Sequence, residues 1–231
     1  MGISEYRRVL PIVDRKRFEQ LATQWFELPL IEDLDEASQD RVGRFCDPQG
    51  ELKEALDKQE LIVEQLMEEN RHKEALAYLA HSQTDLSTEF RDDSAVITDI
   101  YSLLTRGQVY GHLATCGELA TLLPRDPLRK RAFYLAGADF FSADLLLGCA
   151  SEDAAFNLYA CFESTGEDGY LNDIRTKFPG LAMERYEVLG NPYPTSFSSD
   201  ALVTTQSPTY DIAAIAQRLY HSPSQINPSP H

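Results

Sequence analysis

This chain is short of positive charge. It carries 21 Lys and Arg against 37 Asp and Glu, a formal net charge of -16 over 231 residues. Binding to nucleic acid depends on clustered cations that neutralise phosphates, so this balance argues against direct nucleic-acid contact. It disfavours anionic membrane surfaces for the same reason. Cysteine is also scarce. Cys46, Cys116, Cys149 and Cys161 form no C-x-x-C pair and no zinc-finger spacing, and they read as buried free thiols. Long apolar runs are missing. The most apolar stretch, 132–150, is broken by Asp139 and Asp144, and is too short and too charged to span a bilayer. The opening MGISEYRRVL has no apolar core of a secretory signal, and it places Glu5 and Tyr6 where a myristoylation signal needs Ser or Thr. These absences lead to the expectation of a cytoplasmic protein. No G-x-G-x-x-G, phosphate-binding P-loop or G-x-S-x-G elbow occurs.

What is present is helical periodicity. Phe18, Leu21, Ala22 and Trp25 recur at helical spacing in 13–26, and Trp25, the sole tryptophan, reads as a helix–helix anchor. A short acidic helix is expected over 31–45, stopping at Asp47-Pro48. Residues 49–70 give the clearest amphipathic stripe: Leu52, Ala55, Leu56, Leu61, Ile62, Val63, Leu66 and Met67. The pattern continues over 71–82 and gives way to a polar loop at 83–93, where Asp92 or Ser94 offers a cap for the next helix. Two helices are then expected, 95–104 and 108–123, separated at Arg106-Gly107. Asp126-Pro127 is a strong helix start, because the acid caps and the proline fits the first turn. The segment 128–149 is apolar on most sides and should be the most buried helix. Ser151 can cap 152–163, and shorter helices follow over 170–178 and 180–189. From 190 the chain is rich in Pro, Ser and Thr. It returns to an amphipathic pattern over 210–220 and ends in a tail, 221–231, expected to be disordered. The expected fold is all-α, with about nine or ten helices in an irregular bundle or a short α-solenoid-like array. One domain is expected over 1–220, with an acidic half (1–100) and apolar central helices (126–163). Residues 1–100 hold 23 acidic and 12 basic side chains.

Several constellations bear on chemistry. Glu69 and His72 have the E-x-x-H spacing of di-iron bundles, but no second copy exists. They read as an exposed helix pair, and neither a metal nor a cofactor is expected. His112 and Cys116 lie one turn apart on one helix face, with no residue visibly placed to orient the histidine, so they read as packed side chains. Arg106 and His112 resemble the Arg…His spacing of HEPN-type helical ribonucleases, which implies two residues converging on a scissile phosphate. Gly107 departs from that pattern, where a polar residue usually follows the Arg. The acidic face is the remaining feature: Glu32, Asp33, Asp35 and Glu36, then Glu60, Glu64 and Glu68. Complementary charge of this kind raises association rates and enforces specificity towards a basic protein.

The leading expectation is a non-catalytic protein-binding module. It would be an inhibitor, immunity-type or adaptor protein that uses those seven acids to meet a basic partner. The rival is a HEPN-like ribonuclease using Arg106 and His112. A third reading is a chaperone with an apolar groove for another protein's segment.

Overall fold

The computed structural model describes residues 3–90, 94–123 and 126–180. The expected helices at 180–189 and 210–220, the Pro/Ser/Thr-rich segment, the tail and the Asp92 or Ser94 cap lie outside the described residues. Within them the fold is all-α. Its helices are α1 (Ile3–Val9), α2 (Arg15–Glu27), α3 (Glu36–Cys46), α4 (Gly50–Glu68), α5 (His72–Glu89), α6 (Ser94–Thr115), α7 (Pro127–Leu147), α8 (Glu152–Thr165) and α9 (Asp168–Lys177). Short 3-10 turns are η1 (Ile31–Asp33) and η2 (Glu118–Thr121). No described helix is long and apolar enough to cross a membrane.

Side-chain hydrogen bonds fix how α4 to α7 run. Gln59 meets Ser82, Gln83 meets Asp99, and Arg106 meets Asp139. At the other ends His72 of α5 meets His112 of α6 and Arg129 of α7 donates to Ala114 O of α6, so these neighbours are antiparallel. The apolar contacts agree: Leu52 and Leu56 pack with Leu86, and Val63 with Ala75, Leu79 and Val109. α6 and α7 form the central pair. α4 and α5 flank α6, while α2 and α8 flank α7 and α9 lies on α8.

α7 is the most buried helix, as its composition predicts. Leu128, Phe133, Leu135, Phe140, Phe141 and Leu147 are buried around its circumference. Its start is capped by Asp126, which accepts from Leu128 N at 2.8 Å, and its end is closed by Gly148 at φ 85°. Trp25 is fully buried against Phe141 and Phe178. Ser151 caps α8, accepting from Ala154 N at 3.2 Å.

Three local readings are corrected. The polar stretch at 83–89 is not a loop but the last turns of α5. Leu86 anchors it, and Thr84 and Thr88 satisfy their hydroxyls on the carbonyls four residues back. Local polarity there marks a solvent face. Arg106-Gly107 does not separate two helices, for α6 runs through it without a break. Gly107 is needed because the Phe140 ring lies against it; an added Cβ would meet Phe140 Cε1 at 2.9 Å. The acidic helix of 31–45 is divided into η1 and α3 by the extended Leu34 and Asp35.

Gly107→Ala should therefore destabilise the protein by about 1–3 kcal/mol, the usual cost of overpacking a tight core. Urea unfolding at neutral pH measures it. An unchanged midpoint would mean that Phe140 can move aside freely.

Candidate functional site: an acidic face and three polar cores

Glu60 and Glu64 of α4 are the acids of the acidic face whose carboxyls are raised. Glu60, Glu64 and Glu68 recur every four residues, so they form one stripe along the helix. Glu64 is half-buried, and its carboxyl is pushed up to about 7, first by lost hydration and then by Glu60 and Glu68. Glu60 is exposed as a whole residue, yet lost hydration at its carboxyl, with Asp57 nearby, pushes it above the ordinary range against the pull of Lys53. Among the described residues none of the three is in an ion pair within 4 Å; Lys53 is bonded to Asp57 at 3.1 Å instead. Tyr101 on α6 reports the local potential. Burial first, then Cys46, Glu60, Asp47 and Asp57, drive its phenol to about 12. The end of α3 and the middle of α4 thus share one negative region.

The acids at 32–36 have other surroundings. Glu32 and Asp33 are exposed on η1, whose Ile31 packs beside Leu147 and Cys149. Asp35 is the N-cap of α3. It accepts from Ser38 N at 2.8 Å, and that bond holds its carboxyl below the ordinary range. Its charge already serves the helix end. Glu36 is exposed in the first turn. These four residues and the α4 stripe therefore sit on separate elements with separate neighbours.

Arg106 and His112 have different partners. The Arg106 guanidinium grips Asp139 with two bonds, Nε to Oδ2 at 2.7 Å and Nη2 to Oδ1 at 2.5 Å. Only 12% of the arginine side chain and 7% of the aspartate side chain are exposed. Burial pushes the Asp139 carboxyl up, while Arg106, helped by Arg17 of α2, pulls it down. His112 Nδ1 lies 2.9 Å from His72 Nε2. His72 is fully buried, which corrects its reading as an exposed partner of Glu69; Glu69 instead bonds Arg71 and Gln65. His112 is satisfied by an imidazole rather than by a carbonyl or carboxylate.

A third polar core centres on Asp144. It accepts from Trp25 Nε1 at 2.8 Å, Ser151 N at 2.9 Å and Ser151 Oγ at 2.9 Å. Burial nevertheless raises it to about 6. Beside it Ala150 N donates to Pro29 O at 2.9 Å. The thiols divide two and two: Cys149 and Cys161 are buried, whereas Cys46 and Cys116 are exposed because they fall at helix ends. Among the described residues no three His, Cys, Asp or Glu side chains are grouped to hold a metal.

The sequence reading missed the roles of Asp139 and Asp144. The signal was two aspartates in an otherwise apolar helix, which a buried helix tolerates only when other elements supply donors. The His72–His112 contact had no comparable signal, because it joins residues 40 apart on different helices. Comparison with known proteins finds no matching family model, no matching curated protein and no matching solved structure.

Breaking the buried ion pair from one side should be costly. Arg106→Ala or Asp139→Ala is expected to lower stability by about 3–5 kcal/mol, since either leaves a buried charge without its partner. The double change Arg106→Met with Asp139→Leu should recover most of that loss. Urea unfolding of the three variants checks both expectations.

Proposed function

We propose that this chain is a non-catalytic protein-binding module of the inhibitor, immunity-type or adaptor kind. It acts in the cytoplasm on a basic protein, through the α4 stripe and, as a second set of contacts, the acids of η1 and the α3 start. The observation that carries this reading is Glu64. A half-buried carboxyl pushed up to about 7 between two more carboxylates is electrostatically frustrated in the free protein. A Lys or Arg from a partner relieves that frustration, so part of the binding energy is set by the α4 stripe itself. Glu32, Asp33 and Glu36 extend the negative field along the approach and favour encounter with a cationic surface. Asp35 contributes its field while remaining the α3 cap.

The ribonuclease reading has less support. The Arg106 side chain is engaged with Asp139 and His112 with His72, so each of the two is held by a different helix.

Expected behaviour is salt-sensitive binding. The intact protein, used as bait in lysate, should capture a basic protein at low salt and release it near 0.5 M salt, where the screening length falls to about 4 Å. The triple variant Glu60→Gln, Glu64→Gln, Glu68→Gln should lose that capture while staying folded. A partner held equally by both proteins at high salt would sink the acidic-face reading and favour an apolar contact. Ribonuclease activity that disappears with Arg106→Lys in a folded variant would favour the rival.

A further inference from the structure

The start of α5 and the last turn of α6 meet at two imidazoles. His72 is the first residue of α5 and is fully buried; His112 is half-buried. Their facing nitrogens are 2.9 Å apart, with ring centroids at 5.1 Å and planes inclined by 30°. Only one proton fits between two nitrogens at that distance, so one must donate and the other must be a bare acceptor. His72 Nδ1 is buried with no hydrogen bond of normal geometry. The turn after α6 closes tightly on this ring: a Cβ at Gly117 would come within 2.9 Å of His72 Cε1.

This geometry limits proton uptake. The closed pair can accept one proton at the outward side of His112 and keep its hydrogen bond. A second proton places N–H against N–H and puts a cation at the buried N-terminal end of α5, where the helix dipole opposes it. An opened corner exposes two ordinary imidazoles, which bind two protons in mild acid.

The surrounding charges are already engaged. Lys73 of α5 bonds Glu5 of α1 at 2.5 Å and lies over the Tyr6 ring at 4.6 Å. Arg71 bonds Glu69 at the end of α4 and Glu74 of α5. Glu118 of η2 acts on the Tyr6 phenol, which burial chiefly pushes up to about 12. Cys116 lies in the turn itself, and Arg129 of α7 donates to Ala114 O at 2.8 Å. The same corner thus seats α1, with Tyr6 and Leu10 buried.

We propose that the His72–His112 contact is an acid-sensitive latch. It holds the α5 start, the α6 end, η2 and the α1 resting on them closed while the imidazoles are neutral. Protonation releases them ahead of global unfolding.

The sign follows from the two states. Burial, then His112, hold His72 down to about 4 against a small opposite pull from the Asn70 backbone, and burial lowers His112 too. An opened corner titrates near the ordinary value of about 6.5. Closure is therefore complete above that value and is lost as pH falls from there towards 4.

Amide hydrogen exchange on the full chain, corrected for intrinsic rates, tests this at pH 7.5 and pH 5. Protection at 71–76 and 111–121 should fall by about 30-fold, the linkage effect of one such imidazole, while α7 and α8 fall much less. A parallel loss in α7, or no loss at the corner, overturns the proposal. The variant His72→Gln with His112→Asn keeps an amide at each facing position and should lose most of the acid response. If it keeps the full response, carboxylates such as Glu5 or Glu118 are responsible and the latch is wrong. Imidazole 15N titration of the unmodified protein decides the matter without a variant: both histidines titrating at the ordinary value would also overturn it.

Discussion

The structure depends on α7 being buried on most sides while carrying two carboxylates. Asp139 and Asp144 are five residues apart, so they leave the helix in widely different directions. Each must find donors on whatever element covers its side, because a buried carboxylate without partners is too costly to keep. Asp139 finds Arg106 and so sets the register of α6. Asp144 finds the Trp25 indole and the Ser151 cap and so ties the end of α2 to the start of α8. Apolar contact alone would let these helices slide by a turn at modest cost. The two carboxylates tolerate only one placement. A buried ion pair such as Arg106–Asp139 adds little net stability over a well-packed apolar replacement.

Fold class was legible in the sequence because it rests on periodicity. The stripe of α4, the Asp126-Pro127 start and the all-round apolar α7 are local patterns with one physical meaning each. What the sequence hid is set by contacts between distant residues. Gly107 resembles a helix breaker until Phe140 is seen against it. Gln83–Glu89 resembles a loop until Leu86 is seen packed on Leu52 and Leu56. His72 resembles a surface residue because its neighbours in sequence are charged, yet α6 and the Gly117 turn cover it. The acidic residues were legible as charge, but not as environment. Asp35 and Glu64 are alike in sequence, whereas one is satisfied at a helix end and the other is desolvated beside like charges.

That difference separates acids committed to the fold from acids that are not. A capping aspartate has its oxygen committed to a backbone amide, and removing it damages the helix before it affects any partner. The α4 stripe makes no such commitment among the described residues, and Glu64 is less favourable ionised than it would be in water. Selection for solubility alone would place such a carboxyl where water reaches it. In the proposed reading, Glu64 is half-buried between two exposed carboxylates and its counter-charge comes from another molecule.

Acid acts on these groups in opposite directions. Glu64 and Asp144 are raised to about 7 and about 6, so their cost to the folded state disappears as pH falls through those values towards the ordinary carboxylate range. His72 is lowered, so the same acid creates a cost at the α5–α6 corner. Mild acidification therefore eases the α4 face and the α2–α8 junction while straining the corner that seats α1. A single melting curve averages these responses and can look nearly flat with pH. Local probes do not average them, because the groups sit on different helices: one carboxyl on the outer face of α4, one inside α7, and the imidazoles where α5 meets α6. Neutralising Glu64 also removes charge from the face proposed to meet a cation. The binding proposed for a basic partner and the closure proposed for the corner should therefore weaken together as pH falls, although no shared contact links them.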